Sequence, residues 1–439
     1  MNYRDIDLKY MENFRARSQD YREDYSRLMA RVERSKALFR GQVVPYSYKP
    51  LFFTEADVRE FDRLARTMLK IGDKVVDEYL ANSDFRKKFG FPKELEELIL
   101  LDSGYGINVP MARLDIFYGG PGDFKFCELN TDGSSAMLED NEFARITMDS
   151  LGVRELEEDH EIYYYELIDS WVEKSLEIYG NWKSDKKKDR PNIAILDFVE
   201  SATTQEFIEF QKAYERAGYQ CRLVDPTRTV YREGALYDGD FRIDLVYRRL
   251  VTFEMMERLD ELGDFLEAYR QGAFCSIGSF RSQLIHNKLI FKVLHDQDTL
   301  ELMDQEERDF ILEHIPDTGE FKGQDQVFQK VLNNKDKYIM KPSDMNVARG
   351  VFVGRDLDQA DWEARLKEAF DKDYIYQEFV EGYRRPFLMG ADRLEPRELN
   401  GVVGIFMYGG SFAGLYTRIG DENVISSVSS YRAANLIVR

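Results

Sequence analysis

Hydrophobic and polar positions change period along the chain, and the changes mark its elements. From Arg15 to Arg40 apolar residues recur at every third or fourth position between Arg, Glu and Tyr, which predicts helix. Thr54 opens TEADVREF with Asp57 three positions on, an N-cap with a capping partner, and an amphipathic run follows to about Leu80. The aromatic and Met positions of this stretch read as a core stripe. Residues 1–100 are therefore expected as a helical N-terminal region carrying no visible chemistry. Near Leu101 the period shortens. Residues 110–118 (PMARLDIFY) and 124–130 (FKFCELN) alternate around GGPGD, which predicts strand, turn, strand. A helical stretch is expected from about Glu142 through YYYELIDSWVEKSLEIYG, and this first block is taken as 101–185.

The charged run SDKKKDRP (184–191) reads as a linker. Beyond it NIAILDFV is a buried strand, TTQEFIEFQKAYERAG a helix ending at Gly218, YQCRLVD a second strand and RIDLVYRRL (242–250) a third. Strand, helix, strand at this spacing implies a small α/β layer with parallel strands over 186–275. It lacks GxGxxG, so a dinucleotide site is not indicated. Residues 276–439 are mixed. QLIHNKLIFKVLHD predicts a helix; KYIMKPSD, GVFVG and YIYQEFV predict strands; GVVGIFMYGGSFAGLYTRIGD predicts a hairpin turning at Gly-Gly. The expected class is α/β, or mixed α+β, without internal repeats.

Composition narrows the function. The 439 residues carry 61 Lys+Arg against 81 Asp+Glu, a net charge of −20. At roughly 150 residues per domain the length predicts about two to four domains. With 43% hydrophobic and 13% aromatic residues, bulk disorder is excluded. A pI near 4.9 argues against nonspecific nucleic-acid binding but leaves room for a local basic site. Cys127, Cys221 and Cys275 are too few and scattered for a disulfide framework or a CxxC site. Met1–Tyr10 has no apolar signal core, and no apolar run is long enough to span a bilayer. The expectation is a cytoplasmic protein. His286 and His295 are read as packing or surface histidines, and without HExxH a zinc hydrolase is not expected.

The most informative segment is Arg113-Leu114-Asp115 with Glu128-Leu129-Asn130. Opposed residues of a regular hairpin have a constant sum of numbers. Here 115 + 128 and 113 + 130 both equal 243, with the midpoint in the expected turn. Asp115 then faces Glu128, and Arg113 faces Asn130, on one side of the hairpin. Two opposed carboxylates repel unless a cation lies between them. Mg²⁺ prefers oxygen ligands and takes one or two carboxylates plus substrate phosphates; Asn130 adds a carbonyl oxygen and Arg113 a fork for phosphate. The alternative is an exposed face of charges pairing across the strands. Leu114, Ile116, Cys127 and Leu129 are assigned to the apolar side, with Cys127 as a packing residue rather than a nucleophile.

Lys341 ends an apolar strand before Pro342, and the polar loop that follows, through Gly350, can fold over phosphates. Lys288 lies in HNKLIFKVL. Gln377 and Glu378 are candidates for adenine contacts, or simply a polar pair at a sheet edge. With Tyr247-Arg248-Arg249, Asn287-Lys288, Gly414-Leu415-Tyr416-Thr417-Arg418 and Ser426-Ser427, these segments over about 100–439 resemble the ATP-grasp carbon–nitrogen ligases. The similarity is to the circularly permuted branch typified by the synthetase domain of glutathionylspermidine synthase, because the ExN motif precedes the ATP lysines. The loop after Lys341 is poorer in glycine than is usual there, and the first 100 residues have no counterpart.

The resemblance implies an ATP-grasp fold, with 186–275 as a pre-ATP-grasp module and 276–439 as the nucleotide lobe. It implies that Asp115, Glu128 and Asn130 hold Mg²⁺, that Arg113 contacts the transferring phosphate, and that Lys288, Lys341 and the loop to Gly350 bind ATP phosphates. Gln377 and Glu378 would line the adenine pocket, and Arg418 would face the acyl substrate. The implied reaction joins a small-molecule carboxylate, through an acyl phosphate, to an amine, with peptides and polyamines as the candidate substrates, using ATP and Mg²⁺ and without nucleic acid or membrane. The oligomeric state is open. Two alternatives stand: an ATP-dependent phosphotransferase, and a nucleotide-binding module without catalysis.

Overall fold

The computed structural model describes residues 3–39, 41–200, 204–345, 348–390 and 394–439. Parts of the segments expected around Arg40, Thr203 and the Asn346–Val347 loop fall outside those residues.

A six-stranded antiparallel sheet organises the centre. Its order is Tyr431–Ala433, Ser411–Gly420, Glu395–Tyr408, Met111–Gly120, Asp123–Asn130, with Arg384–Met389 also pairing on Glu395–Tyr408. The 111–130 hairpin is thus covalently distant from most of its sheet. The Gly-Gly hairpin forms as expected: Tyr408 pairs with Ser411, and Gly409 and Gly410 take positive φ, the backbone that a tight two-residue turn requires. The helix Glu55–Ala81 packs against this sheet, capped by Thr54 and Asp57 in a capping box. Its apolar stripe, from Val58 to Tyr79, is buried in the main core.

The parallel layer also forms, with order Cys275–Ile277, Leu245–Arg248, Ile193–Leu196, Cys221–Val224. The segment read as one strand over 242–250 divides at Asp244. Phe241–Ile243 joins a separate antiparallel sheet with 229–232 and 235–238, while Leu245–Arg248 enters the parallel one. A second antiparallel sheet, in order Thr318–Glu320, Tyr374–Glu378, Tyr338–Pro342, Phe352–Val353, carries Lys341 and Gln377.

Three expectations need correction. The single helix from Glu142 to Gly180 is three helices, Met137–Thr147, Leu151–Glu157 and Ile168–Gly180. Ser150 caps the second, and Ile162–Tyr163 is drawn into β structure by the C-terminal strand Asn435–Val438. The helix over 283–296 breaks at Asn287–Lys288, where the Lys288 backbone N–H donates to Ser343 O. The N-terminal region is not only helical. Leu51–Thr54 pairs in parallel with Asn435–Val438, and Leu38–Phe39 pairs antiparallel with Gln42–Val43. Buried Lys49 and Arg385 both donate to Asp7, which ties the first helix, Tyr3–Ala16, to the central sheet.

Leu114, Ile116 and Leu129 are buried on the core side of the 111–130 hairpin. Leu129→Ala should cost about 2–5 kcal/mol of stability, read from urea unfolding; a loss well under that range would mean the hairpin's apolar side is not packed.

Candidate active site

The pairing register places Arg113 opposite Asn130 and Asp115 opposite Glu128, as the sum of residue numbers predicted. The register then slips: Ile116 faces Phe126, so Cys127 is the extra residue of a β-bulge. Cys127 is therefore half-buried in a cavity wall rather than on the apolar side, a correction to its expected place. Burial pushes its thiol pKa up, which does not favour a reactive thiolate.

Asp115 is 1% exposed and lies between two guanidinium groups. Arg113 donates from Nε to Oδ1 at 2.8 Å and from Nη2 to Oδ2 at 3.2 Å, while Arg418 Nη2 donates to Oδ2 at 2.6 Å. Burial opposes the Arg113 charge, but the Asp115 carboxylate outweighs it and holds the guanidinium ionised. The Tyr416 ring stacks between Arg113 and Arg432, with centroid distances of 5.4 and 5.6 Å. Tyr416 OH and Arg432 Nε both donate to Glu139. Arg432 also donates to Ser427 O, so it holds the loop whose Ser427 Oγ accepts from Arg418.

Glu128 meets Lys288, with Nζ 3.1 Å from Oε1; the same ammonium donates to Met345 O at 2.9 Å. Burial raises the Glu128 pKa, yet Lys288, Arg418 and Lys341 together outweigh it and hold the carboxyl well below the usual range. Lys341 Nζ donates to Gln377 Oε1 at 2.7 Å and to Cys127 O at 3.2 Å. Gln377 in turn donates to Thr318 Oγ1. The break at Asn287–Lys288 and the two-residue alternation of Tyr338–Pro342 thus bring both ammonium groups to one cavity.

That cavity has a volume of about 660 Å³, within the usual range for small-molecule sites. Arg113, Glu128, Asn130, Lys288, Lys341, Gln377, Glu378 and Arg418 all line it. The wall continues onto the parallel layer through Asp197, Glu206, Arg249 and Glu254. The loop after Asn130 joins the two parts. Buried Asp132 pairs with Arg248 and accepts from Thr252 N–H, and Glu206 accepts from Ala136 and Leu138 N–H at 3.1 Å while pairing with Arg249 at 2.8 Å.

The donor set fits a divalent cation that keeps several other ligands. Among the described residues no group of three or more His, Cys, Asp and Glu side chains is arranged around a metal position, and the oxygen donors on the hairpin's part of the wall are Glu128 and the Asn130 amide, with Asp115 buried behind them. Glu128 is ionised and faces the cavity. Asn130 Nδ2 is buried without a hydrogen-bond partner. Asp115 Oδ2 is taken by both arginines, but Oδ1 accepts a single bond and keeps a lone pair.

A family model described as glutathionylspermidine synthase preATP-grasp matches residues 44–436. The chain belongs to this family. A sequence search of curated proteins returns no match. Among solved structures, the apo form of a glutathione synthetase-like effector from Globodera pallida superposes with a TM-score of 0.56 at 13% identity, covering 94% of this chain and 96% of the other. A putative gamma-glutamylcysteine synthetase from Methylobacillus flagellatus gives a TM-score of 0.34 at 11% identity, covering 90% of each chain. A RimK domain ATP-grasp protein from Sphaerobacter thermophilus gives 0.28 at 15%, covering 52% of this chain and 91% of that one. The fold is mixed α/β of the ATP-grasp kind. The first 43 residues lie outside the family match, yet Lys36, Leu38 and Gly41 reach the cavity wall.

Asp115 lies beneath the cavity wall rather than in it, and Gly350 is also absent from the wall. Gly350 is an exposed turn residue at φ +73°, and a Cβ there would meet Tyr374 and Pro342; its neighbours Ala348, Arg349 and Val351 form the wall instead. His286, expected as ordinary packing, is also cavity wall. Glu139, Arg432 and Gly404 were not legible as site residues. Gly404 pairs with Asp115, and a Cβ on it would lie 2.8 Å from Arg113 Cδ and 2.9 Å from Asp115 Oδ1. The strand pairing that puts them together spans some 290 residues of chain, so no local pattern signals it.

Gly404→Ala should therefore displace the Arg113–Asp115 pair, costing about 1–3 kcal/mol in a urea titration and lowering nucleotide-dependent turnover; unchanged stability and turnover would contradict the packing. A second expectation concerns pH. Burial raises the Asp197 pKa from 3.8 to about 7, opposed by Arg249. The folded chain then holds a proton that the unfolded chain releases, so stability should fall as pH rises between those values, by at most about 1.4 kcal/mol per unit. Asp197→Asn should flatten the slope of urea midpoints over that window, and an unchanged slope would exclude the residue as its source.

Proposed function

We propose that this chain is an ATP- and Mg²⁺-dependent carbon–nitrogen ligase, joining a small-molecule carboxylate to an amine through an acyl phosphate. The observation that carries the reading is one cavity wall holding Arg113, Glu128, Lys288, Lys341 and Arg418 over buried Asp115 and running on to the parallel layer. Family membership and the ATP-grasp fold support the same class. The extension past the phosphate-binding groups favours a ligase over a phosphotransferase, because a ligase must seat a second, nucleophilic substrate.

Glu128, Asn130 and Asp115 Oδ1 would hold the cation, which would supply positive charge against the nucleotide phosphates. Lys341, oriented by Gln377, and Lys288, oriented by Met345 O, balance charge on the phosphoryl group in flight. Gln377 does this through its side chain, so adenine contact falls to the segment Glu378–Val380, which also lines the cavity. Arg418 presents its remaining donors to the substrate carboxylate, and Arg113 faces the transferring phosphate. The carboxylate oxygen attacks the γ-phosphorus and ADP leaves. The amine then attacks the acyl carbon, and phosphate leaves with the bonding pair of the C–O bond. No protein nucleophile is needed. A reducing cytoplasm is the proposed setting, in keeping with three free cysteines; among the described residues no helix is long and apolar enough to cross a membrane.

The test is ADP and phosphate release with acids and amines supplied singly and together, glutathione and spermidine among them. A ligase requires both; release with one alone indicates a phosphotransferase, and nucleotide binding without release indicates a module without catalysis. Glu128→Ala should lower turnover by ~10²-fold or more while the unfolding midpoint changes far less than in Leu129→Ala. Retained activity would remove Glu128 from the cation site.

A further inference from the structure

We propose that His286 is the group that takes the proton from the attacking amine, a role that rests on the ligase reading above. An amine acceptor arrives at neutral pH as an ammonium ion, with no lone pair to form the new bond. The cavity must hold a base that removes one proton. Four of its acids are committed to cations, Glu128 to Lys288, Asp132 to Arg248, Glu206 to Arg249 and Glu139 to Arg432, while Asp197 and Glu254 lie on the opposite, parallel-layer wall. Such pairing holds the Glu128 and Asp132 carboxyls below their usual range and weakens both as proton acceptors.

His286 differs. Its side chain lines the cavity while the residue is only 5% exposed, and Nδ1 is buried with no hydrogen-bond partner. A buried imidazole normally has its tautomer fixed by a carbonyl or carboxylate on one nitrogen. His314 shows this pattern, with Nδ1 bonded to Phe124 O. No such contact holds Nδ1 of His286. Its position also suits the chemistry. The short helix Gln283–His286 ends where the chain breaks at Asn287–Lys288, so the imidazole and the Lys288 ammonium line the same wall two residues apart. Two carboxylates act on the ring, those of Asp132 and Asp344, and Lys288 lies two residues along the chain. Asp132 follows the 123–130 strand and is paired with Arg248 on the parallel layer. Asp344 follows the Lys341 strand and accepts from Gln283 Nε2. Lys288 and Glu128 form the remaining pair. Asp132, beside the ring, accepts in turn from the N–H of Thr252, next to Val251 on the cavity wall.

The step balances as follows. The ammonium of the acceptor gives one proton to the imidazole, which becomes imidazolium. The freed lone pair forms the C–N bond at the acyl carbon. Collapse of the tetrahedral intermediate breaks the C–O bond to phosphate, which leaves with that electron pair and takes the second amine proton. The imidazolium returns its proton to solvent.

The experiment compares two nucleophiles on one acyl phosphate: the alkylamine that supports turnover in the acid and amine panel, and hydroxylamine, which is already unprotonated at neutral pH. His286→Gln should lower amine-dependent ADP release by ~10²-fold or more, while hydroxamate formation with hydroxylamine and binding of an ATP analogue with Mg²⁺, measured by calorimetry, stay at wild-type levels. His286→Asn serves as the second variant if the first alters the melting temperature. Equal loss with both nucleophiles, or amine turnover unchanged, overturns the role of His286. Absence of ADP release from the wild-type protein with every pair overturns the ligase reading itself.

Discussion

Burying a carboxylate to 1% exposure is costly unless counter-charge and hydrogen-bond donors meet it, and the arrangement around Asp115 supplies both. Two guanidinium groups, from strands far apart in sequence, converge on its oxygens. Breaking such a buried set by removing one partner typically costs about 3–5 kcal/mol, because the remaining charge stays stranded. The geometry therefore has to be kept. Gly404 opens the space for the pair, Tyr416 fills the gap between Arg113 and Arg432, and Glu139 binds Tyr416 and Arg432 together.

From that cluster the constraint spreads to the rest of the cavity. Arg113 also donates to Ser135 O, so the loop after Asn130 is tied to the same charge set. The loop's other ties run to the parallel layer, through Asp132 with Arg248 and Glu206 with the Ala136 and Leu138 N–H groups. Ala136 adopts φ +87°, a left-handed backbone that a non-glycine residue keeps only when its surroundings hold it. The hairpin end of the cavity and the parallel layer are thus joined by short polar contacts that leave little slack.

The protein as a whole carries a charge of −20, yet the centre of its cavity is cationic. The two facts are compatible because local charges in a recess dominate the field there, while the acidic exterior acts at longer range and is screened by salt. Lys288, Lys341, Arg113 and Arg418 form that cationic centre. The half-buried acids Asp197 and Glu254 mark the opposite wall. A ligand pair of opposite charge suits that division.

Local pattern was enough to identify the helix Glu55–Ala81 with its cap, the parallel strand–helix–strand unit and the register of the 111–130 hairpin. Each is decided by near neighbours: a capping side chain, an apolar period, or two strands joined by a short turn. The paired acids, the amide and the arginine on that hairpin were legible for the same reason, since opposed residues in a hairpin are determined by counting. What lay beyond the sequence was decided by long-range contact. The bulge that turns Cys127 into the cavity, the break that frees Lys288, the split of 242–250 at Asp244 and the insertion of Gly404 beside Asp115 depend on partners tens to hundreds of residues away. Backbone hydrogen bonds and buried charges must be satisfied wherever the chain returns, and only the folded arrangement determines which residues it returns to.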